Sequence, residues 1–182
     1  MVEEPAEARQ PTPLPLAALK QLRLKQWAKQ VFLVPALVFS GEFLDPSAIL
    51  RVLVAILSFS LLASAGYILN DYLDREADRQ HPKKRFRPIA SGDLPIPAAF
   101  ALFAAAVVGG VALGWWLSPM FLVIAFTYLA TTLSYSFYFK HRVILDVMFL
   151  ALGFVWRVVA GAFAIKVQVS AWLFLCTAFF SL

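Results

Sequence analysis

Long apolar runs without charge alternate with short charged segments along this chain. Residues 52–69 carry no charge, and the two uncharged runs 98–117 and 120–139 are separated only by Ser118 and Pro119. A helix of about 20 apolar residues crosses the hydrocarbon core of a bilayer, which is about 30 Å thick. The pattern therefore predicts an all-α fold, a polytopic bundle of about six transmembrane helices. The predicted spans are residues 30–44, 49–70, 98–117, 120–139 and 143–165, and a sixth that begins near Val169.

The N-terminal segment differs in composition from the rest of the chain. Its first 19 residues contain four prolines and three glutamates, and they lack the basic start and apolar core of a signal peptide. We expect residues 1–19 to form a disordered lead and residues 20–182 to form one transmembrane domain. Residues 17–29 are basic and amphipathic, so this segment is expected to lie at the membrane interface.

Composition supports a membrane protein and limits its chemistry. Hydrophobic residues make up 61% of the chain and the formal net charge is +5. Basic loops are typical of the cytoplasmic side of membrane proteins, so this charge need not indicate nucleic acid. The single Cys176 excludes an internal disulfide and a cysteine-rich metal site. Two histidines are too few for a histidine-based metal centre.

Lysines and arginines concentrate on one side of the predicted bundle. Five precede the first span, six lie in the connection 70–97 and two in the turn 140–142, whereas only Arg51 and Lys166 lie on the other side. Connections rich in lysine and arginine stay in the cytoplasm. We therefore expect the N-terminal segment, the charged connection and the turn to face the cytoplasm together.

The connection after the second span holds the candidate chemistry. Asn70, Asp74 and Asp78 recur at every fourth position, so a continuing helix would place them on one face, with Asp71 beside them. Like charges at this spacing repel each other, whereas a hard cation such as Mg²⁺ takes carboxylate ligands. The basic run 83–87 follows and suits phosphate oxygens. The pattern indicates a magnesium–pyrophosphate site; the alternative is a charged loop that only fixes topology.

Two charged residues interrupt the fifth predicted span. Asp146 lies about one turn from its cytoplasmic end, and Arg157 follows 11 residues later, too far for a direct pair in a straight helix. Charges inside a membrane span are costly. Asp146 is compatible with a snorkelling side chain or with a pair to a neighbouring helix. Arg157 lies deep enough to need a buried anionic partner, either a carboxylate or a lipid phosphate.

The motif NDYLDREAD at residues 70–78 resembles the first aspartate-rich motif of the UbiA superfamily of intramembrane prenyltransferases. Within that superfamily the chain is most similar to the branch that transfers a phosphoribosyl group to a polyprenyl phosphate. In the stretch RLKQWAKQ (23–30), Leu24 and Gln30 stand where that branch has a proline and an asparagine. The resemblance covers residues 22–182. The other stretches that carry it are RLKQWAKQ (23–30), HPKKRFRPIASG (81–92), YSFYFKH (135–141) and LDVMFLALGFVWRVVAGA (145–162).

The resemblance implies a bundle of nine helices with a second acidic motif after the sixth. This chain ends at Leu182, within what corresponds to the sixth helix. We therefore expect it to be the N-terminal two-thirds of such an enzyme, and whether this part alone is active stays open.

The resemblance also implies a reaction. It is the Mg²⁺-dependent transfer of a 5-phosphoribosyl group from phosphoribosyl pyrophosphate to a polyprenyl phosphate such as decaprenyl phosphate. The active site would face the cytoplasm at the inner membrane of a bacterial cell, and the product would serve cell-envelope polysaccharide synthesis. The partners are thus the two substrates and membrane lipid, without nucleic acid, and a homo-oligomer is compatible with this picture.

The same resemblance assigns roles to individual residues. Asn70, Asp71, Asp74 and Asp78 would hold the metal, and Asp74, Asp78 and Lys140 would be the catalytic residues. The implied substrate-binding residues are Arg85 and Arg87 for pyrophosphate or ribose phosphate, Tyr135 beside Lys140, Lys25 and Lys29 for the lipid phosphate, and Arg157.

Two other functions remain open from the sequence. The first is an aromatic prenyltransferase, similar to those that act on 4-hydroxybenzoate, in which an isoprenoid diphosphate occupies the magnesium site. The acidic motif is common to both reactions and cannot separate them, although the four basic residues in 83–87 favour a phosphorylated sugar donor. The second is a transporter or membrane scaffold, but neither inverted repeats nor broken midplane helices are evident in the sequence.

Overall fold

The computed structural model describes residues 12–135, 143–168 and 171–181, with the side chains of 143–146 and 180–181 outside the description. Throughout these ranges the regular structure is helical, which confirms the predicted all-α fold. Two 3₁₀ helices, Ala28–Leu33 and Lys84–Phe86, accompany the α-helices. The α-helices of the described ranges are α1 (Leu14–Gln21), α2 (Leu24–Trp27), α3 (Pro35–Phe39), α4 (Pro46–Leu73), α5 (Arg75–Gln80), α6 (Pro88–Ser91), α7 (Ile96–Leu117), α8 (Pro119–Ser134), α9 (Val143–Ile165) and α10 (Ala171–Ser181).

Among the described residues, three helices are long and apolar enough to cross a membrane, namely α4, α7 and α9. They correspond to the predicted second, third and fifth spans. The predicted fourth span corresponds to α8, which is apolar but has only 16 residues before the segment outside the description. The predicted sixth span corresponds to α10, with 11 residues. The chain is an integral membrane protein.

The longest helix, α4, begins at a strong capping signal. The carboxylate of Asp45 accepts hydrogen bonds from the backbone N–H groups of Ser47 and Ala48 at 3.0 and 3.2 Å, and Pro46 occupies the first helical position, where its missing N–H costs nothing. The helix then continues for 28 residues. It therefore carries the chain from the loop at 40–45 to the acidic motif at its other end.

Close packing joins α4 to α7. The hydroxyl of Ser58 donates a 2.7 Å hydrogen bond to the backbone carbonyl of Gly110. A Cβ atom at Gly110 would come within 3.1 Å of the Ser58 carbonyl oxygen and would overlap the side chain of Leu62. Small residues at a membrane helix contact permit this approach of two backbones.

The helices α7 and α8 form a hairpin that contributes to the core. Ser118 accepts a 3.0 Å hydrogen bond from the backbone N–H of Phe121, and Pro119 begins α8. The side chains of α8 then meet α4 in the interior, where the rings of Phe59 and Tyr128 lie 4.7 Å apart. Small residues of α9 pack against the same cluster. The core thus lies between α4, α8 and α9.

The first predicted span, residues 30–44, is wrong as a continuous helix. The chain instead forms the 3₁₀ helix Ala28–Leu33 and the five-residue α3. Pro35 has no N–H to donate to Val31, and Val31 accepts from Val34 through a tighter turn. This broken segment packs against α9, where a Cβ atom at Gly161 would collide with the backbone carbonyl of Leu33.

The helix α1 lies at the end of the bundle that carries the acidic motif. It begins at Leu14, so residues 14–19 are helical although the sequence analysis assigned them to the disordered lead. Pro15 near the helix start has the backbone angle that a first turn requires. Ala17 is fully buried against Ile68 of α4 and Ile89 of α6. This burial stabilises the N-terminal helix on the charged connection. Most of the lead, residues 1–11, lies outside the described residues.

Candidate active site

The acidic motif keeps the predicted four-residue spacing across a break in the helix. The helix α4 ends at Leu73 and α5 begins at Arg75. The backbone N–H of Asp74 still donates to the Asn70 carbonyl at 2.9 Å, and that of Asp78 donates to the Asp74 carbonyl at 2.8 Å. The side-chain amide of Asn70 also donates to the Asp74 carboxylate at 3.2 Å. Asn70 and Asp74 therefore form one pair of oxygen-bearing side chains.

Asp71 lies on another side of α4 and is buried, with 1% of its surface exposed. Its carboxylate accepts hydrogen bonds from the amide of Gln21 at 2.9 Å and from Nη2 of Arg23 at 2.7 and 2.9 Å. It also accepts a 3.0 Å bond from Nη1 of Arg87. A buried carboxylate needs such partners. Asp71 thus ties the N-terminal segment and the charged connection to the end of α4.

Arg87 bridges two members of the acidic motif. Its Nη1 group donates to Asp71 at 3.0 Å and to Asp78 at 2.6 Å. Asp78 is also buried, with 2% of its surface exposed. Within the described ranges, no three aspartate, glutamate, histidine or cysteine side chains come together as metal ligands. The four predicted metal ligands therefore form two pairs, Asn70 with Asp74 and Asp71 with Asp78, because α4 directs Asp71 away from the face of Asn70.

Arg23 is a site residue that the sequence analysis did not select. It has left-handed backbone angles, φ 53° and ψ 50°, which are uncommon for a residue with a side chain. The ion pair with Asp71 and a contact with the ring of Tyr67, 4.9 Å from its centroid, hold it there. Strain of this kind often accompanies functional sites. In the sequence, the only feature that could have identified Arg23 as a site residue is its position at the start of the RLKQWAKQ stretch.

Two adjoining cavities lie beneath the motif, and Tyr67, Tyr128 and Thr132 line both of them. The smaller one has a volume of about 110 Å³ and lies next to the charged connection. The larger one has a volume of about 240 Å³ and extends towards α9. The other polar residues that line the smaller cavity are Arg23, Asn70 and Arg87, and those that line the larger one are Lys29, Tyr135 and Arg157.

Arg157 has neutral partners among the described residues, rather than the carboxylate that was one of the two expected anions. Its guanidinium donates to the side-chain oxygen of Gln30 at 2.9 Å, to the Gly153 carbonyl at 2.7 Å and to the Tyr128 hydroxyl at 2.9 Å. The rings of Tyr128 and Phe154 lie 4.7 and 5.5 Å from its central carbon. Aromatic faces and carbonyl oxygens stabilise a cation without neutralising it. Gln30 and Tyr128 were not predicted as site residues.

Lys29 contributes a second positive charge to the larger cavity. Much of its side chain is exposed, but it also lines the cavity wall. Burial lowers the pKa of Lys29 below its ordinary value, and the positive charge of Arg157 lowers it further. The two cations therefore act on the same space.

The remaining predicted residues are distributed differently. Tyr135 directly follows the last residue of α8 and lines the larger cavity. Arg85 is exposed, stacks on Phe86 at 4.8 Å and is not among the residues that line either cavity. Lys25 is likewise exposed and away from the lining. Lys140 and the side chain of Asp146 lie outside the described residues.

Comparison with known proteins gives consistent matches. The sequence pattern of the UbiA prenyltransferase family matches residues 31–182. Decaprenyl-phosphate phosphoribosyltransferase of Mycolicibacterium smegmatis is 38% identical over 170 residues, which cover 90% of this chain and 53% of that protein. The protein of the same name from Mycobacterium tuberculosis is 36% identical over 185 residues, which cover 100% of this chain and 61% of that protein. The chain thus spans little more than half the length of these relatives.

Solved structures share the fold. A UbiA homolog from Archaeoglobus fulgidus, bound to DMAPP and Mg²⁺, has a TM-score of 0.69 and 21% identity, covering 91% of this chain and 60% of that chain. The same homolog bound to GPP and Mg²⁺ gives a TM-score of 0.67 at 22% identity, with 91% and 59% covered.

Proposed function

Because the chain belongs to the UbiA prenyltransferase family, we propose that it carries the first part of the active site of a membrane-embedded transferase. The reaction moves a 5-phosphoribosyl group from phosphoribosyl pyrophosphate to a polyprenyl phosphate, of which decaprenyl phosphate is the example. One observation carries this choice, namely the similarity to decaprenyl-phosphate phosphoribosyltransferases along 90% or more of the chain. The product would serve cell-envelope polysaccharide synthesis.

The proposed chemistry is a substitution at the anomeric carbon of the ribose. An oxygen of the lipid phosphate forms the new C–O bond while the C–O bond to pyrophosphate breaks, and pyrophosphate leaves with the electron pair. The attacking phosphate is already anionic, so no general base is needed. Negative charge grows on the leaving group, and donors that face it lower the barrier.

Arg23 and Arg87 are suited to receive that charge, because both line the smaller cavity. The bonds from Arg87 to the two aspartates use Nη1. The opposite edge of the Arg87 guanidinium, which is formed by Nε and Nη2, can therefore donate to phosphate oxygens. Asp71 is assigned to holding these two arginines rather than to the metal.

Magnesium is the proposed cofactor. The side chains of Asn70 and Asp74 offer the oxygen donors that suit this ion, and Asp78 would join them by sharing its carboxylate with Arg87. Magnesium bound here would neutralise charge on the pyrophosphate. The solved relative from Archaeoglobus fulgidus, which was bound to Mg²⁺, supports this assignment.

The active site is proposed to face the cytoplasm at a bacterial inner membrane. Basic residues are concentrated in the N-terminal segment and in the connection 70–97. The bonds from Arg23 and Arg87 to Asp71 bring these two segments together at one end of the bundle. Both observations support a single cytoplasmic site.

The second candidate is aromatic prenyl transfer with an isoprenoid diphosphate at the magnesium site. Two observations favour it: the solved homolog was bound to DMAPP, and a 4-hydroxybenzoate octaprenyltransferase from Shewanella frigidimarina is 28% identical over 75% of this chain. The two reactions differ in which substrate carries the pyrophosphate.

The test uses the complete protein in membranes with Mg²⁺ and ribose-labelled phosphoribosyl pyrophosphate. We expect label to enter the organic phase only when a polyprenyl phosphate is added, and an Asp74→Asn variant to lose this transfer while still inserting into the membrane. No label with several polyprenyl phosphates, together with transfer of a labelled aromatic acid to an isoprenoid diphosphate, would select the second candidate.

A further inference from the structure

Arg51, near the start of α4, has no hydrogen-bond acceptor or carboxylate partner among the described residues. Its Nη1 atom is buried without an acceptor, and no described residue accepts a bond from Nε or Nη2. The nearby carboxylate of Asp45 binds the backbone N–H groups of Ser47 and Ala48 instead. Buried polar groups in proteins almost always have a partner. The described part of the chain therefore leaves this cation without the anion that it requires.

The ring of Trp116 holds the guanidinium of Arg51 at the seam between α4 and α7. The central carbon of Arg51 lies 5.5 Å from the centroid of that ring, within the range in which an aromatic face attracts a cation. Trp116 has 56% of its surface exposed, so the pair lies at the outside of the bundle. The ring orients the cation but supplies no hydrogen-bond acceptor in the plane of the guanidinium, where its donors point.

The position of Arg51 along α4 gives its depth in the membrane. The uncharged residues 52–69 begin directly after Arg51 and end where the acidic motif begins. At about 1.5 Å per residue this run spans about 27 Å, close to the hydrocarbon core of about 30 Å. With the acidic motif at one membrane surface, Arg51 lies at the opposite one, where acyl chains meet the headgroups.

Exposed tryptophans mark the same boundary. Trp115 and Trp116 lie at the end of α7 and Trp172 lies near the start of α10, and all three are exposed. Tryptophan is enriched where the membrane meets water. Leu50 and Leu53 of α4 are exposed on the flank of the helix beside Arg51. A cation at headgroup depth is thus combined with an apolar surface that suits acyl chains.

We propose that Arg51 and Trp116 form a binding site for the phosphate group of a phospholipid, in the leaflet opposite the acidic motif. The phosphate oxygens accept hydrogen bonds from the accessible edge of the Arg51 guanidinium, whose planar fork suits them. Their negative charge compensates the cation. A lipid is the occupant rather than a soluble anion, because a soluble anion would lose its hydration at the edge of the hydrocarbon core. The site is remote from the acidic motif, so its occupancy does not depend on the proposed reaction.

The test measures lipid binding to the complete protein by native mass spectrometry from detergent micelles. The probes are phosphatidylglycerol, diacylglycerol with the same acyl chains but no phosphate, and inorganic phosphate as a competitor. The variants are Arg51→Gln, which removes the charge, Arg51→Lys, which keeps it without the fork, and Trp116→Leu, which removes the ring. Lys166→Gln is the matched control, since it removes the other basic residue from the same side of the bundle.

We expect Arg51→Gln to weaken phosphatidylglycerol binding by about tenfold or more, as the loss of one charge-assisted hydrogen bond implies. Arg51→Lys and Trp116→Leu should show smaller losses, because each keeps the positive charge and removes one feature that orients the lipid. Binding of phosphatidylglycerol by Lys166→Gln, and of diacylglycerol by every variant, should stay within about twofold of the wild type. Inorganic phosphate should not displace the lipid.

Four results would overturn the site. They are unchanged phosphatidylglycerol binding by Arg51→Gln, an equal loss in Lys166→Gln, an equal loss of diacylglycerol, and displacement of the lipid by inorganic phosphate. If Arg51→Gln does not fold, Trp116→Leu decides, since Trp116 is exposed and its replacement leaves the core unchanged. A wild-type affinity for phosphatidylglycerol in that variant would then show that the pair does not bind the lipid.

Discussion

At the scale of single residues, the site depends on one buried carboxylate. Asp71 accepts bonds from Gln21, Arg23 and Arg87, so its charge compensates two guanidinium groups at once. Removing one partner of a buried ion pair leaves the other charge without compensation, which is more costly than never having formed the pair. Asp71 therefore contributes to stability as well as to the geometry of the smaller cavity.

We expect Asp71→Asn to lower the free energy of unfolding by about 1–3 kcal/mol. This loss is smaller than that for a fully buried ion pair, because both arginines are partly exposed. Thermal unfolding of the detergent-solubilised protein measures the change. Glu76→Gln is the matched control, since Glu76 forms ion pairs with Arg75 and Arg79 at the exposed surface and such pairs contribute little. Equal melting temperatures for the two variants would contradict this role of Asp71.

At the scale of helices, the hydropathy pattern located the long elements closely. The predicted third and fifth spans agree with α7 and α9, because Pro95 and Ser118 bound the first of these apolar runs, and Arg142 and Lys166 bound the second. The first span was predicted as one helix since its residues are apolar, yet a single missing N–H at Pro35 divides it. The hydropathy pattern thus predicts the length of a helix well, but it predicts breaks within a helix less well.

In the candidate site, likewise, the features of one local segment were predictable from the sequence, and the contacts between distant segments were not. The spacing of Asn70, Asp74 and Asp78 was visible because it is a property of one segment. The partners of Asp71 and Arg157 were not, since the bond from Gln21 to Asp71 joins residues 50 apart and that from Arg157 to Gln30 joins residues 127 apart. Such contacts depend on how helices pack, which a periodic pattern does not specify.

The contact between α9 and the 3₁₀ helix allows a test at this scale. We expect Gly161→Ala to destabilise the protein by about 1–3 kcal/mol, because the new Cβ atom would overlap the rigid carbonyl of Leu33. Gly109→Ala is the control, since its Cβ atom would meet only the flexible end of Leu61, at 3.3 Å. Thermal unfolding should show the larger loss for Gly161→Ala; the reverse order would show that this helix contact is looser than described.

At the scale of the whole molecule, the two ends of α4 lie on opposite sides of the membrane. The end at Leu73 carries the charged connection, and the end at Pro46 carries the loop that Asp45 caps. In the topology proposed from the bias of basic residues, the first end faces the cytoplasm. The orientation of the bundle therefore decides which compartment supplies the soluble substrate.

We expect Lys84→Cys to react with a membrane-impermeant thiol reagent only from the cytoplasmic side, because Lys84 is exposed in the charged connection. Ser47→Cys, at the opposite end of α4, should react only from outside. Both substitutions are made with Cys176 replaced by serine, so that the native thiol does not contribute. The opposite pattern of labelling would invert the proposed topology.

The neutral partners of Arg157 have a consequence for how the protein is made. An arginine near the middle of an isolated helix disfavours its entry into the bilayer by about 2.5–3.5 kcal/mol on insertion scales. Gln30 and Tyr128 precede Arg157 along the chain, so both leave the ribosome before Arg157 does. Helices already inserted can then receive the guanidinium as it enters. Biogenesis from the N-terminus thus presents the acceptors first and the costly charge afterwards.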